Sequence, residues 1–205
     1  MESKSVDYSK SALVVWDMQY GIAPTAFNYT EIVRNTTQLL SEFRNLKLPV
    51  FFSQHTGLPS SLGSRYAAYR AARRGVSQGS VWMSEGSKEW QIVKEVEPLP
   101  SDVVIKKYSP SFFIGTYFEF FLRNLGVETI VLVGVSTEVG IEGTARDAAY
   151  LGFVPVVVEG AVGSRDKSLH EHSLAVMRDL FEVRNAGDVT EEMNRQRPGI
   201  DTGEH

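Results

Sequence analysis

The sequence predicts an α/β fold of three layers, in which helices cover both faces of a six-stranded parallel sheet. Two observations carry this prediction. Short apolar runs alternate with longer segments of helical period through most of the 205 residues. The apolar runs are rich in valine and isoleucine, as in strands that are buried on both faces. The length suits one sizeable core, so residues 1–205 are expected to form a single domain.

The first half of the chain begins with regular elements and then becomes irregular. Residues 12–16 and 49–53 are apolar runs that predict the first two strands. Between them, residues 29–46 have the period of an amphipathic helix. The apolar stripe of that helix consists of Ile32, Leu39, Leu40 and Phe43. Residues 56–101 are rich in glycine, proline and aromatic residues, so we expect an insertion that serves as a lid, a binding loop or an oligomer contact.

The second half of the chain repeats the alternation of strand and helix. Its predicted strands are residues 102–105, 130–133, 154–158 and 181–183. Its predicted helices are residues 118–125, 138–151 and 167–180. Gly134 is predicted to break the fourth strand, and Gly152 to end the helix before the fifth. Residues 194–205 are polar and contain proline and glycine, so we expect a flexible tail.

The composition argues against several classes of function. The net charge is −4, and no stripe of lysine and arginine alternates with aromatic residues, so nucleic-acid binding is not expected. No apolar stretch reaches membrane-spanning length and no signal-peptide region is evident, so we expect a cytoplasmic protein without a membrane partner. The chain has no cysteine, which rules out disulfides and thiolate nucleophiles. Its four histidines lack metal-ligand spacing, so neither a metal nor another cofactor is expected.

Candidate functional residues follow three of the predicted strands. Asp17 comes after the first strand, Lys106 and Lys107 after the third, and Gly140 at the start of the helix after the fourth. Because the carboxyl ends of parallel strands share one edge, we expect a carboxylate, an ammonium and a helix N-terminus to meet there. The ammonium favours the charged carboxylate while burial beside Trp16 opposes it, a balance that suits proton transfer. Taken singly, each residue also fits an ordinary cap, turn or solvated strand end.

Three stretches of the sequence form a recognisable set. They are Val-Val-Trp-Asp-Met-Gln at 14–19, Lys-Tyr-Ser-Pro-Ser-Phe-Phe-Ile-Gly-Thr at 107–116 and Gly-Val-Ser-Thr-Glu-Val-Gly-Ile-Glu-Gly-Thr-Ala-Arg-Asp-Ala at 134–148. This set resembles the signatures of the isochorismatase-like hydrolases, which include isochorismatases, nicotinamidases and N-carbamoylsarcosine amidases. The similarity spans roughly residues 12–189. It implies a six-stranded parallel sheet between helices, and we expect a homodimer or homotetramer.

The resemblance also implies roles for individual residues. The amidases of this superfamily use an aspartate, a lysine and a cysteine. The aspartate matches Asp17, and the lysine matches Lys107, or Lys106 if the alignment shifts by one residue. Gly140 stands where the cysteine would be, and glycine offers no nucleophile. The isochorismatases also have glycine there, and they are thought to use the aspartic acid to protonate a vinyl ether before water adds.

Substrate contacts are implied as well. The backbone at Val135 and Ser136 is one of them, and in the family this peptide bond is commonly cis without proline. The other predicted contacts are Gln19, Tyr20, His55 and Phe113. Because Val-Ser-Thr-Glu precedes the glycine where isochorismatases have Val-Tyr-Ala-His, the chain looks more like an amidase that has lost its cysteine. No histidine base lies near Ser136 or Thr137 in the sequence, which disfavours a hydroxyl nucleophile there.

The leading prediction is a cofactor-free hydrolase of a small polar substrate. It would cleave a vinyl ether or a C–N bond by acid–base catalysis centred on Asp17, without a cysteine nucleophile. The alternative is a catalytically inactive relative that binds a ligand or serves in assembly. Gly140 supports the alternative, whereas the presence of both Asp17 and Lys107 supports activity, although such a pair can also be structural.

Overall fold

The structure is a computed structural model that describes residues 6–59, 61–73 and 82–196. Its strands are β1 (Ser11–Trp16), β2 (Val50–His55), β3 (Val103–Lys107), β4 (Thr129–Val135), β5 (Val154–Gly163) and β6 (Glu182–Asn185). Its α-helices are α1 (Tyr29–Asn45), α2 (Arg65–Arg73), α3 (Phe118–Asn124), α4 (Glu142–Tyr150), α5 (Lys167–Leu180) and α6 (Ala186–Arg195). All six strands are parallel, in the order β3-β2-β1-β4-β5-β6. The predicted α/β fold with a six-stranded parallel sheet is therefore confirmed.

Helices pack on both faces of the sheet. Helices α1 and α6 belong to the core on one face, and α3, α4 and α5 belong to the core on the other. Every residue of β1 and β4 is buried. This explains why their sequences show continuous apolar runs, because a strand that is covered on both faces has no side in water.

The order of the strands determines where a ligand could bind. From β1 the chain moves outward to β2 and β3, and it then returns to β4 on the other side of β1. In open parallel sheets, ligands bind outside the carboxyl ends of the strands at such a reversal. Asp17 follows β1 and Ser136 follows β4, so both leave the sheet at this crevice.

The two glycines that were predicted to end elements behave differently. Gly152 has φ +86° and follows α4, as expected of a residue that ends a helix. Gly134 has φ +114°, but β4 continues through it to Val135. The pairing of β4 with β5 shifts between Leu132 and Gly134, so this glycine forms an irregularity within the strand and does not end it.

Two α-helices lie outside the segments that the sequence predicted to be helical. Helix α2 lies inside the insertion at 56–101, of which residue 60 and residues 74–81 lie outside the described ranges. Helix α6 extends to Arg195 and so includes the first residues of the predicted flexible tail. Residues 197–205 of that tail lie outside the described ranges.

The helices also bear on the expectation about membranes. In the part of the chain that the structure describes, no helix combines the length and the apolar character needed to cross a bilayer.

Candidate functional site

An ion pair lies at the carboxyl edge of the sheet, between residues that are 90 positions apart in the chain. Nζ of Lys107 is 2.7 Å from Oδ2 of Asp17. The two side chains are only 1% and 2% exposed. Lys106 instead pairs with Glu85 at the surface. Of the two lysines left open by the sequence, Lys107 is therefore the one that meets Asp17.

Asp17 is fixed by its own backbone and by β2. Its φ is +44°, in the left-handed region that aspartate tolerates better than most residues. Its backbone N–H donates to Oγ of Ser53 at 3.0 Å, and the Ser53 hydroxyl donates to Oδ1 of Asp17 at 2.6 Å. One carboxylate oxygen thus accepts from Ser53 and the other from Lys107, so the carboxylate has a single well-defined orientation.

Lys107 has three neighbours around its ammonium group. Besides Asp17, Nζ donates to the carbonyl of Ser109 at 3.1 Å and lies 3.7 Å from the ring centroid of Trp16. Burial lowers the pKa of Lys107, and the carboxylate of Asp17 opposes part of that shift. The site therefore holds a lysine whose proton is bound less tightly than usual, with a carboxylate oxygen 2.7 Å from its Nζ.

Gly140 lies directly against the ring of Trp16. A Cβ atom at this position would overlap three carbon atoms of the indole. Gly140 belongs to a π-helical turn, Thr137–Ile141, that precedes α4. The N–H groups of Val139, Gly140 and Ile141 all point to the carbonyl of Ser136, at 3.3, 3.0 and 3.2 Å. At the helix N-terminus that the sequence predicted for this edge, these three N–H groups therefore already have a backbone acceptor.

The backbone before this turn has an unusual peptide bond. The Val135–Ser136 bond is cis, as the resemblance implied. Val135 is buried, whereas Ser136 is half-buried. Their predicted role as substrate contacts stays a prediction.

Gln19 and His55 lie at the same edge and hold each other. Oε1 of Gln19 accepts from the His55 N–H at 2.8 Å, and Nε2 of Gln19 donates to the His55 carbonyl at 3.0 Å and to the Trp90 carbonyl at 2.6 Å. His55 is half-buried. Burial lowers the pKa of His55, with Asp17 opposing that shift and Lys107 adding to it. The charges of Asp17 and Lys107 thus both act on the imidazole, which is more exposed than either member of the buried pair.

Tyr20 and Phe113 lie among other groups. The hydroxyl of Tyr20 accepts from the N–H of Lys94 at 3.3 Å, and its ring packs against the core. Phe113 packs against Phe118 and Phe153, with ring centroids 5.0 and 6.0 Å away. The structure thus gives both aromatic rings packing partners, and their contact with a substrate stays a prediction.

Two surface cavities of the described residues lie away from the pair. One is lined by Tyr66, Tyr69, Arg70 and Arg73, and the other by Phe51, Val103, Phe121, Asn124 and Leu125. Within the described ranges, no three histidine, aspartate or glutamate side chains converge into a set that could hold a metal ion.

The structure also brings together two residues that sequence reasoning kept apart. Nδ1 of His170 is 2.8 Å from Oγ1 of Thr137, although 33 positions separate them. Both are buried, and the ring of Phe27 packs edge-on against the imidazole at 5.2 Å. In the sequence no histidine lies near the hydroxyls of this turn, but the packing of α5 against the turn brings His170 next to Thr137 in space. No local signal in the sequence marks this contact.

Comparison with known proteins identifies a matching family and several similar proteins. Residues 11–186 match the isochorismatase domain family. The chain is 33% identical over 186 residues to the isochorismatase family protein YecD of Escherichia coli O157:H7, covering 86% of this chain and 95% of that protein. It is 28% identical over 171 residues to the ureidoacrylate amidohydrolase RutB of Pseudomonas savastanoi pv. phaseolicola (strain 1448A / Race 6), covering 74% of this chain and 70% of RutB.

A solved structure extends the similarity to three dimensions. The N-carbamoylsarcosine amidase from Thermoplasma acidophilum is 26% identical to this chain and superposes on it with a TM-score of 0.69. The match covers 86% of this chain and 96% of the amidase.

Proposed function

The chain belongs to the isochorismatase family, and on that premise we propose that it is a hydrolase of small polar substrates in which Asp17 and Lys107 move the proton. No thiol takes part, because the chain contains no cysteine. Water then attacks the substrate directly, without a covalent intermediate on the protein.

The buried contact of 2.7 Å between Asp17 and Lys107 is the observation that carries this proposal. Away from water, an ammonium and a carboxylate at this distance can share a proton, and the lowered pKa of Lys107 makes its transfer easier. The hydroxyl of Ser53 holds the carboxylate in place while this happens. Such a pair can take a proton from the attacking water and give a proton to the leaving group.

The bond that is cleaved is a C–N bond in the first instance. Two relatives are named for such reactions, the ureidoacrylate amidohydrolase RutB and the N-carbamoylsarcosine amidase. The vinyl ether of isochorismate is the second substrate class, because protonation by an aspartic acid followed by addition of water needs no nucleophilic side chain. We place the entrance for either substrate at His55, the half-buried side chain next to the pair.

Turnover by an Asp17→Asn variant tests the proposal. The protein is incubated with N-carbamoyl amino acids, ureido acids, primary amides and isochorismate, and the product is quantified. Asp17→Asn removes the proton-transfer group, so kcat on any substrate of the parent protein is expected to fall by about 10²-fold to 10⁴-fold.

A matched control separates this effect from the loss of a buried charge. Asp102 is also 2% exposed and pairs with Arg44 at the start of β3, far from the carboxyl edge. Asp102→Asn is expected to lower stability but to leave kcat within about threefold of the parent value. Equal kcat in the parent protein and Asp17→Asn would contradict the proposed role of Asp17.

A specific observation favours a second candidate function, which is ligand binding or assembly without catalysis. The ring of Trp16 occupies the space beside Gly140, and both charged side chains are almost fully buried. For this candidate, no compound of the panel is turned over, but at least one raises Tm in a saturable way. Turnover of any compound that depends on Asp17 excludes it.

A further inference from the structure

We propose that Trp16 is a positioning residue of this site, whose indole ring holds the ammonium of Lys107 against Asp17 and closes the space beside Gly140. The inference deepens the proposed function and rests on it. It assigns the place next to the ion pair, where a nucleophilic side chain would otherwise fit, to an aromatic ring.

The contact with Lys107 is the first observation. At 3.7 Å from Nζ to the ring centroid, it is much closer than the contacts of Lys106 with Trp90 at 5.7 Å or Lys88 with Tyr20 at 5.9 Å. An ammonium has three N–H groups, and Asp17 and the Ser109 carbonyl accept from two directions. The electron-rich face of the indole covers a third side, where it stabilises the positive charge.

The way Trp16 is held is the second observation. The residue is 4% exposed, and its Nε1 donates to Oγ1 of Thr144 at 3.1 Å. The same Oγ1 accepts from the N–H of Phe112 at 3.3 Å. Since both the hydroxyl and the strand that carries Trp16 are buried, the ring has one orientation before any substrate arrives.

The fit to Gly140 is the third observation. The φ of Gly140 lies outside the left-handed region, so its backbone does not require glycine. Glycine is required because any Cβ would overlap the indole. Positions 16 and 140 are therefore complementary in size, and a side chain at 140 is possible only with a smaller residue at 16.

Chemical labelling of lysines tests the contact with Lys107 and needs no substrate. The folded protein is treated with acetic anhydride at low dose, and the rate at Lys107 is measured by mass spectrometry relative to exposed Lys47. Trp16→Leu removes the ring that covers and stabilises the ammonium, so the relative rate at Lys107 is expected to rise at least about tenfold. Trp16→Phe keeps an aromatic face, and its rate is expected to stay within about threefold of the parent rate.

Phe118→Leu is the matched control, because Phe118 is a buried aromatic residue of the same core cluster. It is expected to lower stability and to leave the relative rate at Lys107 unchanged. An unchanged rate in Trp16→Leu overturns the role of Trp16, even if hydrolysis has been found. A raised rate in a protein that hydrolyses no compound confirms the contact and counts against the proposed function alone.

A double-mutant cycle tests the fit to Gly140. Gly140→Ala is expected to lower Tm by about 5 °C or more in the parent protein, because the new methyl group has no room. In the Trp16→Leu background the same change is expected to lower Tm by less than half as much. Equal decreases in the two backgrounds would mean that the indole is not what excludes a side chain at 140.

Discussion

At the scale of single residues, the site combines a charged pair with neighbours that are mostly neutral. Asp17 and Lys107 are removed from water, which makes each charge costly unless its partners are well placed. Ser53, the Ser109 carbonyl and Trp16 provide these partners. The charges of Asp17 and Lys107 cancel, and none of these neighbours carries a formal charge. Transfer of a proton within the pair therefore leaves the net charge of the site unchanged.

His170 gives a prediction about pH at this scale. Burial lowers its pKa, and this outweighs the opposing effect of Glu138, Glu159 and Glu171, while Arg178 adds to the lowering. Below pH of about 6.5 the unfolded chain therefore binds a proton that the folded protein resists. The contribution of neutral His170 to the free energy of unfolding is fully present above that pH, and it is lost as the pH falls through the folded-state pKa. We expect the urea midpoint of unfolding to be lower at pH 5.0 than at pH 7.5.

The variants His170→Gln and His172→Gln assign this effect. Glutamine at 170 can still accept a hydrogen bond from Thr137 but does not titrate, so the difference between the two midpoints is expected to shrink. His172 is exposed on the same helix, and its replacement is expected to leave the difference unchanged. If His170→Gln retains the full pH dependence, another group is responsible for it.

At the scale of secondary structure, Gly134 shows how one strand accommodates its neighbour. A Cβ at this residue would overlap the backbone of Trp16, and the φ of +114° is one that only glycine adopts readily. Gly134→Ala is therefore expected to lower the free energy of unfolding by about 3 kcal/mol or more, measured by urea denaturation.

Gly143 provides the matched substitution. It lies in the first turn of α4, and a Cβ there would meet nothing within 4 Å. Because alanine favours a helix over glycine, Gly143→Ala is expected to raise stability by roughly 0.5 kcal/mol. A similar loss of stability in both variants would show that the irregularity at Gly134 in β4 does not specifically require glycine.

An element of secondary structure could be predicted where the local sequence carries a clear apolar pattern. Strands β1 and β4 were predicted because continuous burial leaves continuous apolar runs. Helix α6 was missed because its buried side chains are only Ala186, Val189 and Met193, a weak stripe among polar residues. The continuation of β4 through Gly134 brings this residue against the carbonyl of Trp16 in the neighbouring strand, a contact that no local pattern in the sequence marks.

At the scale of the whole molecule, the meeting of Asp17 and Lys107 was predictable and their surroundings were not. The alternation of strand and helix places the ends of β1 and β3 at one edge, and long side chains there can reach each other. The ring over Gly140, the Ser136 carbonyl that accepts from the turn, and the contact of Thr137 with His170 depend on side-chain packing between distant segments. Such packing is set by the complete fold.

The attachment of the insertion to the sheet yields the last prediction. Gln19 bonds to the backbone of His55 at the end of β2 and to the carbonyl of Trp90 in the insertion. Backbone bonds from Tyr20 to Gln91 and from Val93 to Met18 continue this attachment. Gln19→Met keeps the volume but leaves the partly buried N–H and C=O of His55 without these partners, which destabilises the folded protein by about 1–3 kcal/mol.

This destabilisation acts only while the insertion lies against the sheet, so the segment 83–93 is expected to separate from the sheet more often. Its amide hydrogens should exchange with deuterium at least about tenfold faster in Gln19→Met, while those of α1 keep their rates. Gln38→Met is the control, since Gln38 is exposed and its side chain donates to the hydroxyl of Thr190 at the surface. If exchange in 83–93 is unaffected by Gln19→Met, the backbone bonds are sufficient to hold the insertion, and Gln19 serves mainly to orient His55 beside the ion pair.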